Sequence, residues 1–416
     1  MSDTASAPRR PVRPARLALY LLALCSLLGI AGRGLQETYP IFLLPLEAEF
    51  GWSRAKASSI YSISFLVVGF GGPLVGWLYD RFGPLTVYVI GVVSIAVAGF
   101  GASQSASYWL ILLCLGLVLG FGSACVGVVP FGALLSQWFR KRLNLALAVA
   151  QSSYGTGILI MAPTAQLLID WQGWRSGYMI FAALFLALLP LLMLVPWRLA
   201  RAGHPAYRRR DDGTERHPMA EGPTLARALA TPTFWSIVWS FVFTGIGMYS
   251  VSLQAPAYLV SIGYSPQQAA EAFGVLGLLL PMGVIGFGWL SDHIGRQRAM
   301  FLAYGLSIAG ILCLVGLARG PSLLLLAFFV ICFGGTFGSR GPALLTIAAL
   351  TFQGPHLGKI YGMVTIGMGG GGAIGAWLGG VLHDVTGGYA VGHWVGMASL
   401  CVASMPFFLV RSMART

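Results

Sequence analysis

The chain has 416 residues, 56% of them hydrophobic and only 9% charged, with a mean hydropathy of +0.77. Soluble domains carry roughly 25% charged residues, so a soluble enzyme is excluded and a polytopic membrane protein indicated. The net charge of +13, from 26 basic against 13 acidic residues, does not mark nucleic-acid binding, because the basic residues lie between apolar stretches and not in one patch.

A spanning helix needs ~20 apolar residues, and the chain has room for twelve. Residues 1–16 read as a cytoplasmic tail carrying Arg9, Arg10, Arg13 and Arg16. The apolar run that follows exceeds the ~7–15 residues of a signal peptide, so it is expected to stay as helix 1, near 17–46. That helix holds Arg33 at its middle and Glu37 one turn later. A charge at the bilayer centre costs at least ~2.5–3.5 kcal/mol, so it is tolerated where it faces protein interior or a wet cavity. An outer loop is expected at 47–56, helix 2 at 57–79, and a tight cytoplasmic turn at Asp80-Arg-Phe-Gly-Pro84. Helices 3 to 6 are expected near 85–103, 108–137, 143–169 and 176–197, completing a first bundle over 17–197. Residues 198–232, with seven Arg and no apolar periodicity, read as a flexible cytoplasmic linker. Helices 7 to 12 are expected near 233–262, 267–290, 298–318, 321–350, 357–382 and 390–410, a second bundle over 233–410 before a tail at 411–416.

This topology puts 20 basic residues on the cytoplasmic side and 4 (Arg54, Lys56, Arg175, Arg319) outside, with Arg33 and Arg340 left inside helices. The asymmetry predicts both termini in the cytoplasm, as expected of a multi-pass protein of the inner membrane. The six cysteines all fall in apolar stretches and imply no disulfide framework. No metal, nucleotide or catalytic-triad spacing occurs, so neither enzyme activity nor a cofactor is expected. A monomer is the expected state.

The chain repeats itself. Phe50-Gly-Trp-Ser-Arg-Ala-Lys-Ala-Ser58 matches Ile262-Gly-Tyr-Ser-Pro-Gln-Gln-Ala-Ala270 at an offset of 212. Gly76-Trp-Leu-Tyr-Asp-Arg-Phe-Gly83 matches Gly288-Trp-Leu-Ser-Asp-His-Ile-Gly295 at the same offset. Two matches at one spacing predict two parallel six-helix halves. On Gly76, Leu78, Asp80, Arg81 and Gly83, with their echo Gly288, Leu290, Asp292, Gly295 and Arg296, the chain resembles the major facilitator superfamily. The resemblance implies an all-α fold of twelve transmembrane helices in two pseudo-repeats. It also implies that these residues form a cytoplasmic latch holding the outward-facing state. Pro84-Leu85 stand where the family usually has basic residues.

The resemblance further implies a cavity lined by helices 1, 4, 7 and 10. Arg33 on helix 1 and Arg340 on helix 10 are the two basic residues deep in apolar segments, one in each half. Two guanidiniums in one cavity call for an anion between them, and the arginine fork suits a carboxylate. The structural alternatives are an Arg33–Glu37 ion pair at i, i+4 and an Arg340 bonded to carbonyls near Gly341-Pro342. Glu37 is the candidate proton carrier, released when substrate takes Arg33. Gln36, Tyr39, Tyr61, Gln151, Tyr154, Tyr249, Gln254 and Tyr361 could complete recognition. Glu271 reads as a solvated helix-start acid, and the run Gly367-Met-Gly-Gly-Gly-Gly372 as close helix packing.

Tyr39-Pro, Glu49-Phe-Gly-Trp-Ser-Arg54, Gly72-Pro73 and Asp80-Arg-Phe-Gly resemble the monocarboxylate transporter and oxalate/formate antiporter branch. That branch places a substrate arginine in helix 8 and, in oxalate carriers, a lysine in helix 11. Here helix 8 has no arginine and Lys359 sits at the start of helix 11, so Arg33 and Arg340 stand as the local replacement. The expected function is therefore proton-coupled transport of a small mono- or dicarboxylate. A drug or metabolite antiporter is the first alternative, although Gly155-Thr-Gly157 to Ala162-Pro163 keeps only a fragment of the motif it would carry. A non-transporting sensor or scaffold is the second; it would call for a folded extra domain or an ordered tail, which the linker and 411–416 do not suggest.

Overall fold

The computed structural model describes residues 14–139, 142–203, 224–352 and 357–409. The expected tails, apart from 14–16, and the middle of the linker lie outside that set. Apolar helices long enough to span a membrane are α1 (Arg16–Phe50), α2 (Arg54–Phe82), α3 (Pro84–Ser103) and α4 (Tyr108–Ser136). A single run, Leu145–Met193, divides at Gly173, where φ is 81°, into α5 (145–172) and α6 (174–193). The second half contains α7 (Pro232–Ser261), α8 (Pro266–Ile294), α9 (Arg296–Arg319), α10 (Leu323–Thr351), α11 (Lys359–Thr386) and α12 (Ala390–Phe408). Eleven apolar runs thus give twelve helices in two sets of six, and the fold is the expected all-helical one.

The expected outer loop at 47–56 shrinks to residues 51–53. Gly51 ends α1 in the left-handed region (φ 63°) and Ser53 caps α2 through the Lys56 N–H. Glu47, Glu49, Arg54 and Lys56 therefore sit on helices, and Arg54 is buried. Each of α1, α4, α7 and α10 is interrupted. The breaks fall at Thr38, at Val126–Gly127, at Leu253–Gln254 and at Gly338–Ser339. In α1 and α7 a proline follows two residues after the break and removes a backbone donor. In α4 and α10 a π-helical stretch precedes it, at Leu112–Val118 and Val330–Gly334.

In lipid, helix association depends on van der Waals packing and close approach, not on the exclusion of water. A Cβ on Gly34 would lie 3.0 Å from Gly157 Cα, which fixes the α1–α5 crossing. The glycine run of α11 works likewise: a Cβ on Gly371 would lie 2.2 Å from the Val242 carbonyl of α7. Between the halves, α11 follows α2 from Gly380 against Arg54 and Ser58, through Gly372 against Phe65, to Gly69 facing Gly369. Beyond that point, toward the end that holds the termini, Gly362 and Gly288 face open space. Residues 57–65 of α2 are mostly buried and 66–82 mostly part-exposed or exposed, so the halves are closed at the far end and parted at the termini end.

Candidate functional site

Arg33 occupies the centre of α1. Its Nη2 donates to Glu37 Oε1 at 2.7 Å and its Nη1 to Gln36 Oε1 at 2.8 Å. Helical periodicity alone brings these groups onto one face, since residues three and four apart are neighbours. The second oxygen of Glu37 accepts from the Tyr61 hydroxyl of α2 at 2.6 Å, and Gln36 Nε2 donates to Ser64 Oγ at 3.0 Å. The Arg33 guanidinium carbon stands 5.7 Å from the ring centroids of both Phe65 and Tyr154, within cation–π range. Tyr249 of α7 packs on Phe65 with centroids 4.4 Å apart and on Phe337 of α10 at 5.3 Å. Both halves thus wall the ion pair with aromatic rings. The Arg33 and Glu37 side chains keep 15% and 11% exposure, so the pair can be reached.

Arg340 is placed differently. It is 1% exposed, and its Nη atoms donate to the carbonyls of Ala303 (2.6 Å) and Thr336 (3.1 Å) and to Ser307 Oγ. Tyr304 lies under its guanidinium at 4.6 Å. Its Nη1 also donates to Met248 Sδ of α7 at 3.5 Å, so its partners come from α7, α9 and α10, all in the second half, and Arg340 shares none with Arg33. The expected facing pair is therefore not formed in this structure. A buried guanidinium needs acceptors, and α9 supplies neutral ones inside the same half.

Among the other expected residues, Gln36, Tyr61, Tyr154 and Tyr249 join the Arg33 cluster. Tyr39 forms a second layer, stacked 5.9 Å from Tyr61 with its hydroxyl on the Ala57 carbonyl. Gln254 lies instead at the far end, bonded to Ser58 (3.1 Å) and Arg54 (3.4 Å). Tyr361 donates to the Leu345 carbonyl at 2.7 Å within the second half, and Gln151 is exposed. At the termini end, Gly83 (φ 83°) and Gly295 (φ 86°) turn the chain after α2 and α8. Asp80, Arg81 and Asp292 are exposed, and neither acid forms a salt bridge among the described residues. Gly76 faces Val129 of α4, where a Cβ would lie 3.9 Å away, Gly288 faces open space, and Arg296 opens α9. Arg201, from the short helix Trp197–Ala202, binds the Phe82 carbonyl at the end of α2.

Ser64, Phe65 and Phe337 were not singled out from sequence. Phe65 lies four residues after Tyr61, so the helical period of α2 carried the signal.

Two bundles parted at one end, four broken central helices and a buried but reachable ion pair between them define a membrane transporter, not an enzyme. The family model described as Major Facilitator Superfamily matches residues 19–340 and 287–415, and the chain belongs to that superfamily. It is 28% identical over 363 residues to Monocarboxylate transporter 13 of Bos taurus, covering 85% of this chain and 80% of that one. To the uncharacterized MFS-type transporter YcxA of Bacillus subtilis it is 24% identical over 390 residues, covering 89% and 90%. A bacterial homolog of the human lysosomal transporter Spinster, solved inward-facing and occupied, superimposes with a TM-score of 0.73 at 16% identity, covering 97% of this chain and 98% of that one. A D-xylose-proton symporter gives 0.69 at 17%, covering 94% and 97%. These two likenesses show the shared fold. The family and these relatives make this a membrane transporter, and its sequence resembles the monocarboxylate transporters.

Proposed function

We propose that the protein carries a small organic monocarboxylate together with a proton, by alternating access around Arg33. The observation that supports this most is the Arg33–Glu37–Tyr61 cluster, a reachable guanidinium held by an acid that substrate can displace. A substrate carboxylate would compete with Glu37 for the planar fork. Once displaced among aromatic rings, Glu37 is a carboxylate without its counterion, held by the Tyr61 hydroxyl, and taking a proton from the aqueous phase relieves that cost. Substrate and proton then cross together, and on release Glu37 gives up its proton and closes again on Arg33. One carboxylate fits better than two, because Arg340 is occupied by carbonyls while Phe65, Tyr154 and Tyr249 offer an apolar wall. The 20-to-4 distribution of basic residues supports an inner-membrane orientation with both termini, and hence the parted end, in the cytoplasm.

The test is uptake of labelled mono- and dicarboxylates into proteoliposomes, with and without an inward proton gradient. Monocarboxylate uptake driven by the gradient, and lost in Arg33→Ala, is the expected result. Equal uptake by Arg33→Ala, or gradient-driven export of organic cations in its place, would overturn the reading.

A further inference from the structure

At the far end, the N-terminus of α2 is held by the opposite half. Asp384, near the end of α11, accepts from the N–H of Arg54 at 2.9 Å and of Ala55 at 2.8 Å. These are the first two residues of α2, whose N–H groups have no acceptor within the helix, and the carboxylate also meets the positive end of the helix dipole. The Arg54 side chain adds a strut. Its Nε lies 2.7 Å from Glu47 Oε1 of α1, its Nη1 donates to Gln254 of α7, and its guanidinium sits 5.6 Å from the Tyr389 ring. Gly380 makes the approach possible, since a Cβ there would lie 2.7 Å from both the Arg54 carbonyl and Ser58 Oγ.

The internal repeat provides a comparison. Asp170 stands 214 positions before Asp384, and each precedes by three residues a glycine of positive φ, Gly173 (81°) and Gly387 (70°). Pseudo-symmetry would have Asp170 cap α8, but it accepts from Gln166 Nε2 at 2.8 Å. The first residue of α8 is Pro266, which has no N–H, and Ser265 and Gln268 close that terminus as a capping box. The cap between halves is present on α2 and absent from its counterpart.

We propose that Asp384 is the latch of the far-end gate. Its carboxylate on the α2 terminus, braced by Arg54, holds the halves in the closed arrangement seen here and releases each time that end opens. This inference stands on interface geometry and does not depend on the substrate.

Hydrogen–deuterium exchange of the purified full-length protein tests it. Asp384→Ala should speed exchange of segment 52–58 about tenfold. It should also speed exchange of 254–262 across the gate, and slow that of 76–84 and 288–296 as the termini end closes. Asp384→Asn, which keeps one acceptor without the charge, should fall between, and carries the comparison if the alanine variant does not fold. Asp170→Ala should match the wild type. A change confined to 52–58 would reduce Asp384 to a local cap. The same shift in Asp170→Ala, or no shift at all, would also overturn the proposal.

Discussion

Arg33 and Glu37, one helical turn apart, close a 2.7 Å ion pair whose carboxylate also receives the Tyr61 hydroxyl. The pair resolves the cost of a charge in the middle of α1, because each group supplies the other's counterion within a walled site. It also poises Glu37, since whatever takes Arg33 leaves a carboxylate among aromatic rings. That coupling leads to an experiment on Glu37 alone. Glu37→Gln keeps the size and the acceptor but cannot exchange a proton. Carboxylate exchange between equal pools should persist within about threefold, as the Arg33 fork remains. Accumulation driven by a pH gradient should vanish. Proteoliposomes loaded with unlabelled acid, assayed with and without the gradient, separate the two.

Arg33→Lys retains charge and discards the fork. A lysine ammonium is a compact point charge that cannot pair bidentately with a carboxylate. Its KM for the carried acid should rise about tenfold or more, near 1.4 kcal/mol of binding. The melting temperature in detergent should stay close to wild type, because the i, i+4 pairing with Glu37 survives.

Arg340 calls for a different pair of substitutions. Its guanidinium fills core volume and bonds the Ala303 and Thr336 carbonyls. Arg340→Ala leaves a cavity and unpaired acceptors and should cost about 3 kcal/mol of stability. Arg340→Met leaves the same acceptors without their donor but fills the space and removes the buried charge, so it should cost less than Ala. Thermal unfolding should therefore drop further for Ala than for Met, and transport by the Met variant should remain. Loss of transport in a stable Met variant would restore Arg340 to the substrate site.

The spans were legible because apolar length is dictated by the bilayer, and the two halves because the motifs recur at one offset. The Arg33–Glu37 pair was legible because both residues lie on one helix, where spacing fixes geometry. The sequence pattern puts Arg54 in a loop and gives no sign of Asp384 or Glu47, because their meeting depends on how α2 packs against α11. No local pattern encodes that contact. Arg340 was assigned to the shared cavity because sequence gives the depth of a helix residue but not its facing neighbour. The Ser307 hydroxyl and Ala303 carbonyl that receive it are unremarkable in the α9 sequence.

The contact between α5 and α8 gives a test of alternating access itself. A Cβ on Gly155 would lie 2.1 Å from the Gly277 carbonyl oxygen and 2.8 Å from Pro281 Cδ. Neither is the end of a flexible side chain, so Gly155→Ala must push the halves apart where they pivot. Each half packs internally without that contact, so both should still fold. The maximal transport rate should fall about tenfold, with a smaller change in KM, because overpacking at a moving interface impedes the motion more than the site. Gly286→Ala, on the partner helix α8 but facing open space, is the control and should transport normally. A normal rate in Gly155→Ala would mean that the halves do not pivot on this contact.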